Sequence, residues 1–513
     1  MNSVRKTRIS IKLTHIIHEV FFYFVLPLIK KECPESLKKF SVNITSSVAY
    51  GTADRYSDID AFILFKDHRD YLRYYKKFNE LIKSIKLPKK FNSVCDKGLR
   101  FELESLEGSD ISDLFKKQTT YNWFKQTEWL LYWLVNSITI YDPNHWMKNF
   151  KKRMTFFPDD ILKLKIEFTF VILLNYIRKF YISIDENMHD YIKDKYFYKC
   201  IKRLMDIICW INKIYTPHPK WQFRLLKNLD NNSRKFYSEV NTAMSRDYLF
   251  KLKAIRKWQR KLRKLLIKKS LLNEIISNIK SPAQKNILES RLVRYTNLNN
   301  NRNYLYYNKK FYFKNYLLNK NDLNIIEAIL NCKNINVDFY LAEETGIHYL
   351  DRKDYNSLMR IQSKYFDLRL YHNKIEKKIL RKIISYLNFI IWRKIRVIEK
   401  AIQRKNLLNQ EWYSNQVIEH LIEIMLRLKG YNLPNELIQI HAIKKSNFLE
   451  KEVNLLIKSL KLPIKERVDI YWRIFHTVQN YLKKKKILSS YNLNNPLITQ
   501  FDIEYWKYEN LRL

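Results

Sequence analysis

Glycine is almost missing from this chain. Only 5 Gly occur in 513 residues, where average usage of about 7% would give roughly 36. No Walker-type phosphate loop is present, so P-loop chemistry is excluded, and no helix-turn-helix or zinc-finger pattern marks a sequence-specific DNA reader. Cysteine is equally scarce. Cys33, Cys95, Cys200, Cys209 and Cys332 form no CxxC pair and are odd in number, which excludes a disulfide framework and a zinc knuckle and fits a reducing compartment. Long apolar runs are absent too. Val20–Ile29 and Phe168–Ile177 are uncharged over ten residues and Trp129–Tyr141 over thirteen, short of the roughly 18 to 20 that a membrane span needs. The basic N-terminus (Arg5, Lys6, Arg8, Lys12) leads into a stretch holding His15, His18 and Glu19, which makes a poor secretory signal. A cytoplasmic protein with no membrane partner is expected.

Acidic residues are the other deficit. Lys and Arg number 95 against 51 Asp and Glu, a formal net charge of +44. An A/T-rich genome favours Lys, Asn, Ile, Tyr and Phe codons and disfavours Gly, which accounts for part of this. The field is physical whatever its origin, and it attracts polyanions. It is also uneven. Residues 1–150 hold 24 basic and 17 acidic residues, whereas the remaining 363 hold 71 and 34.

What is present sorts into two kinds of pattern. Over 1–150 the chain reads as α+β: a helix over Leu13–Lys31, strands over Asn43–Tyr50, Asp58–Phe65 and Leu99–Leu106, and helices over His68–Ile85 and Trp123–Ser137. From about residue 159 a period of 3.6 takes over, with helices expected at Asp159–Tyr181, Lys193–Ile214, Asn241–Lys269, Asn373–Asn406, Gln416–Leu428 and Lys465–Lys486. The polar stretch NLNNNRNYLYYN reads as a linker. The expected organisation is a catalytic domain at 1–150, a helical substrate domain at 151–296, an Asn-rich linker at 297–310 and a second, mainly helical basic domain at 311–513.

The chemistry concentrates in Gly51–Phe65, GTADRYSDIDAFILF. One of the five glycines stands at a strand-to-turn junction, followed by the hydroxyl of Thr52. Asp58 and Asp60 flank Ile59 at the start of an apolar strand, where residues i and i+2 share a face about 7 Å apart. Two carboxylates so placed repel unless a cation sits between them, and Mg2+ prefers a few carboxylates plus phosphate oxygens. The alternative is a plain turn with solvated Asp at the strand end.

This pattern resembles the nucleotidyltransferase superfamily, which includes DNA polymerase beta, tRNA CCA-adding enzymes and the small bacterial antibiotic nucleotidyltransferases. Gly51, Thr52, Arg55, Ser57, Asp58 and Asp60 match its Gly-Ser, spacer, Ser-Asp-x-Asp pattern, with Thr in place of Ser. The stretch ITIYDPN at 138–144, then Pro158 and a long helix, is similar to the segment after the catalytic strands in the small bacterial members. The resemblance covers roughly 13–225 and implies a mixed sheet with flanking helices. It also implies a third carboxylate on the strand LRFELESL, for which Glu102 is favoured and Glu104 held in reserve. By the same resemblance Asp58, Asp60 and Glu102 hold two Mg2+ ions around an NTP, with ATP the expected nucleotide. Gly51 then lets the backbone approach the β- and γ-phosphates, Thr52 gives its hydroxyl and N–H to them, and Arg55 and Ser57 complete the nucleotide site.

The acceptor must be chosen by the helical part. Lys251–Lys269 carries ten basic and no acidic residues, with Trp258 inside it, and Lys377–Lys405 is similar with only Glu399 acidic. Such helices suit a phosphate backbone and base stacking, so RNA is the expected acceptor and partner. Nucleotidylation of a small molecule or protein is the alternative, and an inactive RNA-binding or immunity-type protein is the third reading.

Overall fold

The computed structural model describes residues 7–54, 57, 59–85, 99–105, 128–185, 187–272, 312–313, 316–317, 377–429, 440, 443–444 and 448–488. It shows a small mixed sheet with helices followed by a mainly helical region. Two compact units emerge: residues 1–166 with 206–230, and residues 167–205 with 231–513. Residues 206–230, which the sequence reading places in the 151–296 segment, thus cluster with the first unit. The expected linker at 297–310 lies outside the described residues.

The first unit opens on α1 (Arg8–Val20), a π-helical turn (Phe21–Val25) and α2 (Leu26–Glu32). Thr7 caps α1 by accepting a hydrogen bond from the Ser10 N–H. This helical stretch, Arg8–Glu32, is long and apolar enough to cross a membrane by length and composition; the shorter uncharged run Val20–Ile29 understates it. Core helices of folded proteins meet the same criterion, and this one sets Leu13, Ile17, Val20, Phe21 and Ile29 at 0–1% exposure in the core.

Then come β1 (Phe40–Ile44), α3 (Ser46–Ala49), β2 (Ile59–Phe65), α4 (His68–Ser84), β3 (Leu99–Ser105), α5 (Glu128–Val135), β4 (Ile138–Tyr141) and α6 (Trp146–Arg153). The sheet order is β3-β2-β1-β4. β1 runs antiparallel to β2 and β4, and β2 runs parallel to β3, with α4 in the connection between them. β1 lies earlier than its expected span. It ends at Ile44: Thr45 still donates its N–H across the ladder to the Asp60 carbonyl (3.1 Å), and Ser46 then turns the backbone to φ 55.

The two faces of the sheet differ. Phe40, Val42, Ile44, Ala61, Ile63, Phe65 and Leu103 enter the hydrophobic core with α1, α2 and α4. The opposite face carries Ser41, Asn43, Asp60, Phe62, Leu64, Glu102 and Glu104, as the register requires. There Thr139 donates to Asn43 (2.6 Å), Asn43 donates to Ser41 (2.8 Å), and Lys151 of α6 donates to Thr139 and to the Ser137 carbonyl (both 2.7 Å). Trp133 of α5 meets Phe62 edge-on at 4.7 Å.

α7 (Asp159–Asp185) and α8 (Asp190–Ile211) each contain a boundary between the units. α9 (Pro219–Leu229) completes the first unit. The second contains α10 (Asn231–Met244), α11 (Tyr248–Lys268), α12 (Lys377–Gln403), α13 (Leu407–Leu428), α14 (Glu450–Ser459) and α15 (Ile464–Lys484). The single helix expected over Asn241–Lys269 is broken, because the Asp247 side chain accepts the Phe250 N–H at 2.8 Å and starts a new helix. Two buried cations in this unit are paired: Lys195 with Glu419 at 2.9 Å and Lys251 with Asp194 at 3.2 Å.

Candidate active site

The loop between α3 and β2 is built around Gly51, the described residue where a positive φ (70°) falls on glycine. Its carbonyl accepts the Thr7 N–H at 3.0 Å and its own N–H donates to Val48 at 3.2 Å. Ser10 and Thr7 hold Ala53 from both sides: the Ala53 N–H donates to Ser10 Oγ (3.0 Å), and Thr7 Oγ1 donates to the Ala53 carbonyl (3.0 Å). The helix start that precedes the sheet therefore fixes the glycine turn. Thr52 differs from its expected role in one respect. Its N–H is spent on the Ser47 carbonyl at 2.9 Å. Its hydroxyl is buried and has no hydrogen-bond partner among the described residues, an arrangement costly enough to call for an explanation.

Ser57 is committed to the loop itself. Its Oγ donates to Asp54 Oδ1 and accepts the Asp54 N–H, each at 2.9 Å. Asp54 in turn meets Arg224 of α9, with Nη2 3.3 Å from Oδ2. Three residues before Arg224, Trp221 meets Tyr50 edge-on at 5.7 Å, and Tyr132 meets Tyr50 at 4.9 Å. Burial pushes the Tyr50 phenol well above its usual range, with Tyr132 and then Asp60 adding to the rise. Tyr50 is therefore a neutral hydroxyl beside the Asp60 carboxylate.

Asp60 sits on β2, and Glu102 and Glu104 lie on the same face of the neighbouring parallel strand. Asp60 pairs in register with Arg100, Phe62 with Glu102 and Leu64 with Glu104. From a strand spacing near 4.8 Å and a rise near 3.3 Å per residue, Glu102 lies about 8 Å from Asp60 between Cα atoms, and Glu104 about 14 Å. Burial, and next the charge of Glu102, raise Glu104 from 4.5 to about 7. Glu102 is thus the better placed of the two to share a cation with Asp60. Arg55 and Asp58 lie outside the described residues. Among the described residues no three His, Cys, Asp or Glu side chains gather to hold a metal ion.

Tyr50, Trp221 and Arg224 had no sequence signal. The last two lie some 170 residues beyond the glycine turn, and no spacing rule connects them to it. Trp258, singled out as a base-stacking candidate, is spoken for: it is 3% exposed, packs edge-on against Phe236 at 5.0 Å, and donates its indole N–H to Glu239 at 2.8 Å.

No curated protein matches the chain. Residues 26–113, which run from α2 through the glycine turn and the β2 and β3 carboxylates, match the family model described as Nucleotidyltransferase domain. The chain therefore carries a nucleotidyltransferase domain, a transferase module whose chemistry is NTP-dependent nucleotidyl transfer.

Proposed function

We propose that this protein transfers a nucleoside monophosphate from an NTP, with ATP the expected donor, to an acceptor hydroxyl on RNA. The observation that carries the chemistry is the buried Thr52 hydroxyl, without a hydrogen-bond partner among the described residues, on a positive-φ glycine turn, at the end of the sheet where Asp60 stands one diagonal step from Glu102. The donor set of carboxylates and a hydroxyl, all oxygen, fits a hard cation. When bound, two Mg2+ ions held by Asp58, Asp60 and Glu102 supply electrostatic stabilisation to the triphosphate. The chain's own residues orient and deprotonate. Thr52 donates its hydroxyl to a phosphate oxygen, while Arg55 offsets phosphate charge. A Glu102 carboxylate oxygen accepts the proton of the acceptor hydroxyl as that oxygen bonds to the α-phosphorus. The bond from the α-phosphorus to the bridging oxygen breaks, and pyrophosphate leaves.

RNA is favoured by the charge distribution, since the excess of cations lies beyond residue 150. A small cationic acceptor is the second reading, and the face that sets Asp60, Glu102 and Glu104 together in the less basic part of the chain supports it. Label transfer decides. The protein is incubated with Mg2+ and each α-labelled NTP, together with cellular RNA or with an extract of proteins and metabolites, against an Asp58→Ala/Asp60→Ala control. Label on RNA that requires both aspartates is the expected result. Label on a metabolite or protein selects the second reading, and RNA retention without transfer selects an inactive binding protein.

A further inference from the structure

α11 has an unusual distribution of charge. It contains no acidic residue over Tyr248–Lys268. Its apolar side chains Leu252, Ile255, Trp258, Leu262 and Leu266 are 0–3% exposed. The outward side is a different row: Lys253, Lys257, Arg260, Lys261, Lys264 and Lys268, each exposed and spaced by three or four residues, so that they share one face. At 1.5 Å per residue this row is about 22 Å long.

Like charges one helical turn apart destabilise a helix, and the fold relieves little of that repulsion. Lys257 reaches Glu239 of α10 at 2.9 Å. Lys261 donates to Asn232 at 2.9 Å and lies over the Trp258 ring at 4.4 Å. Lys253, Arg260, Lys264 and Lys268 have no hydrogen-bond or ion-pair partner among the described residues. The α10 helix that packs beside this row adds exposed cations of its own at Arg234 and Lys235.

We propose that this face of α11 is a docking surface for the phosphodiester backbone of RNA. A helix that lies on a bilayer must insert a continuous apolar side; here the central apolar side chains are packed inside the unit, and the exposed large ones, Leu249, Phe250 and Ile267, are split between the two ends of α11. Between those ends runs a straight row of exposed cations, which suits a row of phosphates. Backbone contacts of this kind position a strand without reading its bases, so binding is sequence-tolerant and strongly salt-dependent.

The experiment measures binding of a fluorescent single-stranded RNA by anisotropy from 50 to 200 mM salt, without NTP, so that its outcome is separate from any transfer activity. The test variant is Lys253→Gln/Arg260→Gln/Lys264→Gln/Lys268→Gln, with circular dichroism to confirm folding. An equal loss of charge on the first unit, Lys66→Gln/Arg69→Gln/Lys76→Gln/Lys83→Gln, is the control. The expected result is at least a tenfold loss of affinity in the α11 variant and a salt slope shallower by about 0.7 per lost phosphate contact, with the control near wild type. Equal losses in both variants, or no loss in either, overturns the proposal. So does an α11 variant that loses binding to phosphatidylserine-containing vesicles while keeping its affinity for the RNA. RNA binding through α11 without nucleotide transfer to that RNA would support this surface while removing RNA as the acceptor.

Discussion

Arg224 and Asp54 form an ion pair at 3.3 Å that joins α9 to the glycine loop. Their side chains are 32% and 26% exposed, so the direct contribution to stability is small, about 0.2–1 kcal/mol. The larger effect is on geometry, since Asp54 also holds Ser57 two residues ahead of the β2 strand. Arg224→Ala is expected to raise KM for the nucleotide several-fold with little change in melting temperature. Arg224→Lys should retain most activity, and the swap Arg224→Asp/Asp54→Arg should recover part of the loss. A swap no better than the single variants would detach the pair from function.

Thr52→Val separates stability from activity. It removes a buried hydroxyl that has no partner among the described residues, so the folded state should be unchanged or slightly more stable. Transfer should fall by about ten- to a hundredfold, since one donor to the transition state is lost. A drop of more than about 1 kcal/mol in denaturant unfolding would mean the hydroxyl has a protein partner.

Gly51→Ala places a Cβ at φ 70, which costs about 1–2 kcal/mol. Gly51→Asn should cost less, because Asn tolerates the left-handed region. Thermal unfolding of the two variants checks the order.

Asp60→Asn and Glu102→Gln should each abolish transfer while leaving the domain folded, whereas Glu104→Gln should retain a measurable rate. Loss with Glu104→Gln and a retained rate with Glu102→Gln would move the third carboxylate role to Glu104.

The same Glu104→Gln variant reports a pH effect. Burial and Glu102 raise Glu104 to about 7. Between about pH 4.5 and 7 the folded chain holds a proton that the unfolded chain has released. Its contribution to stability therefore falls as pH rises through that window and is fully unfavourable above 7. Glu104→Gln should flatten that dependence and raise stability at pH 8 by at most about 3 kcal/mol. Unfolding curves at pH 5 and pH 8 measure it.

The local part of this site was legible in the sequence. Gly51, Thr52 and the Asp60 strand announce themselves by spacing, and alternation in LRFELESL puts Glu102 and Glu104 on one face. Element limits were less so: Ser46 ends β1 by turning the backbone to φ 55, and Asp247 caps a helix inside what periodicity reads as one. The aromatic and ionic contacts from α9 were beyond reach, because side chains 170 residues apart meet only through tertiary packing. Lys251 and Trp258 show the opposite error. A basic-aromatic run reads as a binding stripe, yet both residues are consumed internally.

The membership of residues 206–230 in the first unit has a kinetic consequence. β1 cannot pair with β4 until Tyr141 is available, and the glycine loop cannot meet Trp221 and Arg224 until some eighty further residues have been synthesised. Contacts of such sequence separation close slowly. A nascent chain released near residue 150 would carry every carboxylate of the proposed site and Tyr132, and still lack the Trp221 and Arg224 struts of its nucleotide turn, leaving Tyr50 partly uncovered to aggregation or to chaperones.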